Sequence, residues 1–163
     1  QGNLVTIFGG SGFLGRYVAQ ALLNEGARIR VACRDVGGAN HIKPLGNVGQ
    51  VQLMAADVRK PDSVARAVMD ADAVINLVGS FDNMDAVQNV GAGIVAQAAA
   101  AAGVKALVHV SAIGAEEGVF GGGSTGLNVH AAIDLAVELG EGHRVVTLGC
   151  DNGVKYLGGQ IYS

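Results

Sequence analysis

Three glycines at three-residue spacing, Gly9, Gly12 and Gly15, follow the short apolar run Leu4 to Phe8, and a helix-compatible stretch begins behind them. A strand that turns sharply into a helix leaves unpaired N–H groups converging on one spot, backed by the positive end of the helix dipole. Such a spot suits a pyrophosphate, and only residues without a Cβ let the backbone come close to it. The spacing therefore points to a dinucleotide site rather than a bare turn. Arg34 and Asp35 stand where a second strand should end. At that place an acidic residue pairs with the ribose hydroxyls of NAD, and an arginine accommodates the 2′-phosphate of NADP. The guanidinium of Arg34 can grip phosphate with two parallel bonds, which favours NADP. Asp35 keeps NAD open, or belongs to a solvated charged loop. Asp57-Val58 either meets an adenine amino group or shapes the approach to the next helix. Leu77-Val78-Gly79-Ser80 would bring backbone to the ribose on the nicotinamide side, and Ser111 stands where a substrate would lie.

Hydride transfer also needs a proton donor or acceptor beside the nicotinamide. On this type of scaffold the usual pair is a Tyr with a Lys four residues on. Tyr17 and Tyr156 have Ala21 and Gln160 at that position, and the sequence stops after Ser163, too soon for Tyr162. His41, His109, His130 and His143 form no evident pair with a nucleophile; His109 falls inside an apolar strand and reads as a core residue. Cys33 and Cys150 lack metal-type spacing and read as buried thiols of a reducing compartment. On these grounds the chain is expected to be no enzyme and to hold neither a catalytic group nor a metal site.

The elements that must position these residues alternate along the chain. Strands are expected over 4–8, 28–33, 51–55, 73–78, 106–110 and 144–148. Helices are expected over 12–24, 61–68, 85–102 and 126–139, with a short helix at most over 40–45. Such alternation builds right-handed crossovers and a parallel sheet. The expected fold is a Rossmann-like three-layer α/β sandwich with six parallel strands in the order 3-2-1-4-5-6, with the ligand outside the carboxyl ends of the first and fourth strands. Half of the 163 residues are apolar, but only 4% are aromatic and 15% charged. Small aliphatic side chains of this kind suit a sheet covered on both faces by Ala-rich helices. A net charge of −3 gives no pull towards nucleic acid or an acidic membrane surface. No apolar run reaches the roughly 18 residues that span a bilayer. A cytoplasmic monomer or homodimer without nucleic-acid or membrane partners is expected, as a single domain over 1–163.

Residues 3 to about 115 resemble the first half of an atypical extended short-chain dehydrogenase/reductase, closest to bacterial relatives of the NAD(P)H-binding accessory subunit of respiratory complex I. The likeness lies in Val-Thr-Ile-Phe-Gly-Gly-Ser-Gly-Phe-Leu-Gly-Arg (5–16), Arg-Ile-Arg-Val-Ala-Cys-Arg (28–34), Ala-Asp-Ala-Val-Ile-Asn-Leu-Val-Gly (71–79) and Leu-Val-His-Val-Ser-Ala-Ile-Gly-Ala (107–115). The resemblance implies cofactor contacts at Gly9, Ser11, Gly12, Phe13, Gly15, Arg34, Asp57, Val58, Val78 and Gly79. It also implies a branch whose members often lack the Tyr/Lys pair and bind the cofactor without turnover.

Residues 116 to about 157 resemble the carboxy-terminal part of cysteine synthase, a pyridoxal-phosphate enzyme. The likeness lies in the Gly-rich turn at 116–126 and in Gly-His-Arg-Val-Val-Thr-Leu-Gly-Cys-Asp-Asn-Gly-Val-Lys-Tyr at 142–156. Ser124 or Thr125 would match the serine that contacts the pyridine nitrogen in that family. The Schiff-base lysine has no counterpart, so pyridoxal phosphate is not expected. Together the two resemblances imply an engineered chimera joined near Ala115, in which the 116–163 segment completes the sheet of the 1–115 segment, without catalytic activity but open to NAD(P) at the Gly-rich turn; the alternatives are an NADP-dependent oxidoreductase of the short-chain dehydrogenase/reductase type and a structural scaffold with no ligand.

Overall fold

In the computed structural model the residues described are 2–79, 85–110, 132–140 and 145–147. The strands are β1 (Leu4–Phe8), β2 (Arg28–Cys33), β3 (Val51–Ala55), β4 (Ala73–Asn76), β5 (Ala106–His109) and β6 (Val145–Val146). They form one six-stranded sheet in the order β3-β2-β1-β4-β5-β6. Every pairing is parallel, from Leu4 opposite Arg28 at one end to Val108 opposite Val146 at the other. The expected Rossmann-like α/β architecture and strand order are therefore those of the protein.

Each β1 side chain is buried, as a central strand covered on both faces requires. Alternate residues feed separate cores. Val5, Ile7, Ile29 and Val31 pack with Ala19 and Leu23 of α1 (Phe13–Asn24), and Ile42 of a 3₁₀ turn (Asn40–Leu45) closes that layer. Phe8, Ala32 and Val74 face the other way. They meet Val64 and Val68 of α2 (Pro61–Val68) and Val95, Ala96 and Ala99 of α3 (Gly91–Ala101). The alanines of α3 let it lie close to the sheet and to α2. Leu135, in a fourth helix (α4) over residues 132–139, joins this second core, and β6 follows beside β5. Arg144 and Leu148, expected in the last strand, lie outside the described residues, as does the stretch 126–131 of the expected helix.

The periodicity reading overran several boundaries: β5 ends at His109 rather than Val110, β6 is Val145–Val146 with Thr147 outside it, and the two largest differences lie after β4 and before α3. The fourth strand ends at Asn76 rather than Val78, because Asn76 Oδ1 turns back to accept the Val78 N–H at 3.2 Å. The Leu77 N–H makes a last bond to the Phe8 carbonyl of β1 at 2.9 Å; Val78 and Gly79 then leave the ladder, and all three line a cleft wall. The long third helix is not α-helical throughout. It opens with a π-helical turn over Asp85–Val90 before α3 begins at Gly91, and such wide turns gather near functional sites.

Candidate functional site

The carboxyl ends of β1, β2, β3 and β4 surround an open cleft of about 470 Å³. At its centre is the glycine turn. Gly9 adopts φ +76°, and a Cβ there would stand 3.1 Å from the carbonyl carbon of Leu77, so the turn has no space for a side chain against β4. Gly12 is the N-cap of α1, in extended conformation, and supplies no side-chain cap. Its N–H closes the turn onto the Gly9 carbonyl at 3.0 Å. The first-turn amides of α1 are thus left for an acceptor from outside, where a Cβ on Gly12 would meet only the Gly9 oxygen, at 3.3 Å. Gly15 is different. A Cβ there would collide with the Gly9 carbonyl and lie 2.6 Å from the Gly10 backbone. It permits α1 to pack on the turn and does not line the cleft.

Gly9, Ser11, Gly12, Arg34, Asp57, Val58, Val78 and Gly79 all line the cleft. Of the cofactor contacts that the resemblance implied, Phe13 and Gly15 do not. Phe13 is 83% exposed beside the turn and stacks edge-on against Tyr17, with ring centres 5.6 Å apart. Ser80, Ser111, Ser124, Thr125, His130, His143, Cys150, Tyr156 and Tyr162 lie outside the described residues.

At the far end of the cleft the work passes to side chains. Arg34 has no hydrogen-bonded or ion-paired partner among the described residues and lines the wall. Asp35 is already committed: its Oδ1 accepts the Gly38 N–H at 3.0 Å, and Gly38 packs so tightly that a Cβ would stand 2.6 Å from Oδ2. Asp57 is gripped by Arg59, a residue that sequence reasoning missed. The Arg59 backbone N–H and Nε each reach Oδ1 at 3.0 Å, and Nη2 reaches Oδ2 at 2.7 Å. Chiefly through the Arg59 side-chain bonds, the Asp57 carboxyl is held at about 2; partial burial opposes this, while the Arg59 N–H and the charges of Arg59 and Arg34 add to it. Ser63 Oγ steadies the turn, accepting the Asp57 N–H at 3.1 Å and donating back to the Asp57 carbonyl at 2.9 Å. The Asp-x-Arg spacing at the end of a strand was a readable signal for this pair. Cys33 also lines the cleft; burial, then the Asp35 charge, pushes its thiol up against an opposing bond from Ser11, so it stays protonated.

Asn76 and His109, register partners on β4 and β5, are 1% and 5% exposed. Among the described residues neither Asn76 Nδ2 nor either His109 ring nitrogen has a partner, and burial pulls the His109 imidazole down towards its neutral form. Among the described residues there is no cluster of ligands for a metal ion, and no helix long and apolar enough to cross a membrane.

A parallel sheet in this order, a glycine turn opening an uncapped helix, and polar groups at the ends of the second and third strands define a dinucleotide-binding α/β domain. The NAD(P)H-binding family matches residues 9–133, and the chain belongs to it. The mouse protein "NADH dehydrogenase [ubiquinone] 1 alpha subcomplex subunit 9, mitochondrial" is 38% identical over 122 residues, covering 71% of this chain and 32% of that protein. The ceramide reductase of Caulobacter vibrioides is 30% identical over 120 residues, covering 71% of this chain and 36% of that protein. The chain thus spans about a third of the length of these relatives. Cysteine synthase of Staphylococcus aureus is 48% identical over 48 residues, which cover 29% of this chain and 16% of that enzyme. Among solved structures, Pen from Bacillus thuringiensis shares the fold, with a TM-score of 0.74 over 90% of this chain and 49% of its own, at 19% identity.

These relatives overturn the expectation that the chain is no enzyme. It is kin to proteins named as a dehydrogenase subunit and a reductase. The sequence spans only about a third of those proteins, so the lack of a Tyr/Lys pair within it does not separate this chain from oxidoreductases. NAD or NADP as cofactor accords with the family. The cysteine synthase likeness is confined to a short segment, and neither an engineered origin nor a chimera follows from it.

Proposed function

We propose that this domain binds NAD(P)(H) and serves as the cofactor-binding part of an oxidoreductase of the short-chain dehydrogenase/reductase type. The observation that carries the reading is the uncapped start of α1 at Gly12, set in one cleft with Arg34 and Asp57. The first-turn amides would take the pyrophosphate, and the Leu77–Gly79 backbone would lie along the nicotinamide ribose. Asp57 would meet the adenine amino group. Bound there, the nicotinamide would supply hydride exchange with a carbonyl or alcohol.

The two charged groups after β2 favour NADP(H). Arg34, unpaired among the described residues, can take a 2′-phosphate, while the Asp35 carboxylate, which also lines the cleft, spends one oxygen on the Gly38 N–H. Titration of the chain with NADPH and NADH, followed by nicotinamide fluorescence, tests the reading. Saturable binding with NADPH the tighter ligand supports it, and no binding of either ligand removes it. Steady oxidation of NADPH in the presence of a carbonyl substrate tests the oxidoreductase part.

A further inference from the structure

The adenine end of the cleft has a feature that the dinucleotide reading does not itself require. An ionised carboxylate offers about four lone-pair positions. At Asp57, Arg59 takes three of them through its N–H, Nε and Nη2. One acceptor position on Oδ2 is left for a donor from the cleft, which Asp57 lines. The neighbouring walls are aliphatic, formed by Ala56, Val58 and Val87. Gly91 brings the start of α3 hard against this slot, where a Cβ would stand 3.0 Å from Val58 Cγ2. Aliphatic walls beside this one open acceptor of Asp57 fit a flat heterocycle that carries one exocyclic amino group. The Arg59 side chain is 43% exposed, whereas the carboxylate it holds is 15% exposed. The arginine therefore contributes little to the core, and its effect is exerted on Asp57.

We propose that Arg59 is a positioning residue for base recognition: its two-pronged grip fixes the plane of the Asp57 carboxylate, so that the remaining acceptor selects a 6-aminopurine over a 6-oxopurine. The proposal rests on the dinucleotide reading above. A 6-amino group donates to the free position on Oδ2. A 6-oxo group would set one acceptor against another and leave both without a donor. The planar fork is what holds the carboxylate in plane; a lysine at 59 restores the charge but not the two parallel bonds.

The test uses the full chain and two probes, NADPH and its deamino analogue, in which hypoxanthine replaces adenine. Wild-type protein is expected to bind NADPH about tenfold or more tighter than the analogue, the size of one hydrogen bond to a charged group. Arg59→Ala should lose most of that preference by weakening NADPH alone, and Arg59→Lys should not restore it. Asp57→Asn should abolish the preference as well. Thermal unfolding of Arg59→Ala should stay close to wild type, because exposed pairs contribute little to stability. A merely structural role for Arg59 would weaken both ligands alike. Arg59→Ala with the wild-type preference intact overturns the proposal. A wild type that binds both ligands equally also overturns it and leaves the dinucleotide reading standing. A wild type that binds neither removes that reading and this proposal together.

Discussion

The two ends of the cleft are built by opposite means. The phosphate end is almost all backbone: Gly9 presses against Leu77, Gly12 leaves the helix start open, and no acidic residue stands in the first turn of α1. The adenine end relies chiefly on side chains, with Arg34 unpaired among the described residues, Asp35 folded onto Gly38 and Asp57 locked by Arg59. Backbone amides suit a group bound the same way in every dinucleotide. Side chains suit the parts that distinguish one dinucleotide from another, since they can change without disturbing the turn. The comparison also divides the glycines, because Gly15 supports packing while Gly12 faces the ligand space.

Gly15→Val should produce the largest effect. Its added carbons would strike the Gly9 carbonyl and the Gly10 backbone, and overpacking of this kind costs about 3 kcal/mol or prevents folding. Denaturant unfolding reads this directly. Gly12→Val should separate the two roles: its φ of −79° suits any residue, and a Cβ meets only the Gly9 oxygen. Stability should move by less than about 1 kcal/mol, while NADPH affinity falls roughly tenfold to a hundredfold with the loss of charge-assisted bonds to the amides. If Gly12→Val unfolds the protein as Gly15→Val does, the division between packing and binding glycines is wrong.

Arg34→Ala sharpens the contrast at the other end. It should cost NADPH about tenfold and leave NADH nearly unchanged, the worth of one phosphate contact, as competition between the two ligands would reveal. Equal losses for both would place Arg34 outside the 2′-phosphate site.

The smallest effect belongs to neither end. His109 is buried without a partner among the described residues, and burial depresses its imidazole below the usual 6.5. The unfolded chain then binds the proton more readily, so stability is complete above about pH 6.5 and declines as pH falls towards the folded-state value. His109→Leu should remove that decline between pH 7 and 5 and raise stability at pH 7 by about 1 kcal/mol. Chemical denaturation at the two pH values measures both.

Short apolar runs bounded by Gly, Asp and Pro made β1, β2 and β3 legible to the residue, because strands packed on both faces leave few choices of side chain. The end of β4 was misplaced because Val78 continues an apolar run, and only the Asn76 bond to its N–H shows where the ladder stops. The glycine turn was legible as a phosphate site, yet its three glycines could not be told apart. That distinction depends on which atoms stand behind each Cα. Asp57 was found and its partner Arg59 was not: the Asp-x-Arg spacing was legible, but its closing into a two-pronged grip depends on the path of the backbone through the turn.

By itself the amino-acid order determined a parallel α/β sheet, the crossover at β1 and β4, and the glycine turn at the crossover. These are local consequences of hydrophobic period and of φ values open to glycine. The tertiary structure decided which charges at the adenine end are free and which are spent, and which glycine carries packing and which faces the cleft. Those outcomes arise where strands distant in sequence end side by side, within a few ångströms, and local pattern has no reach across that gap.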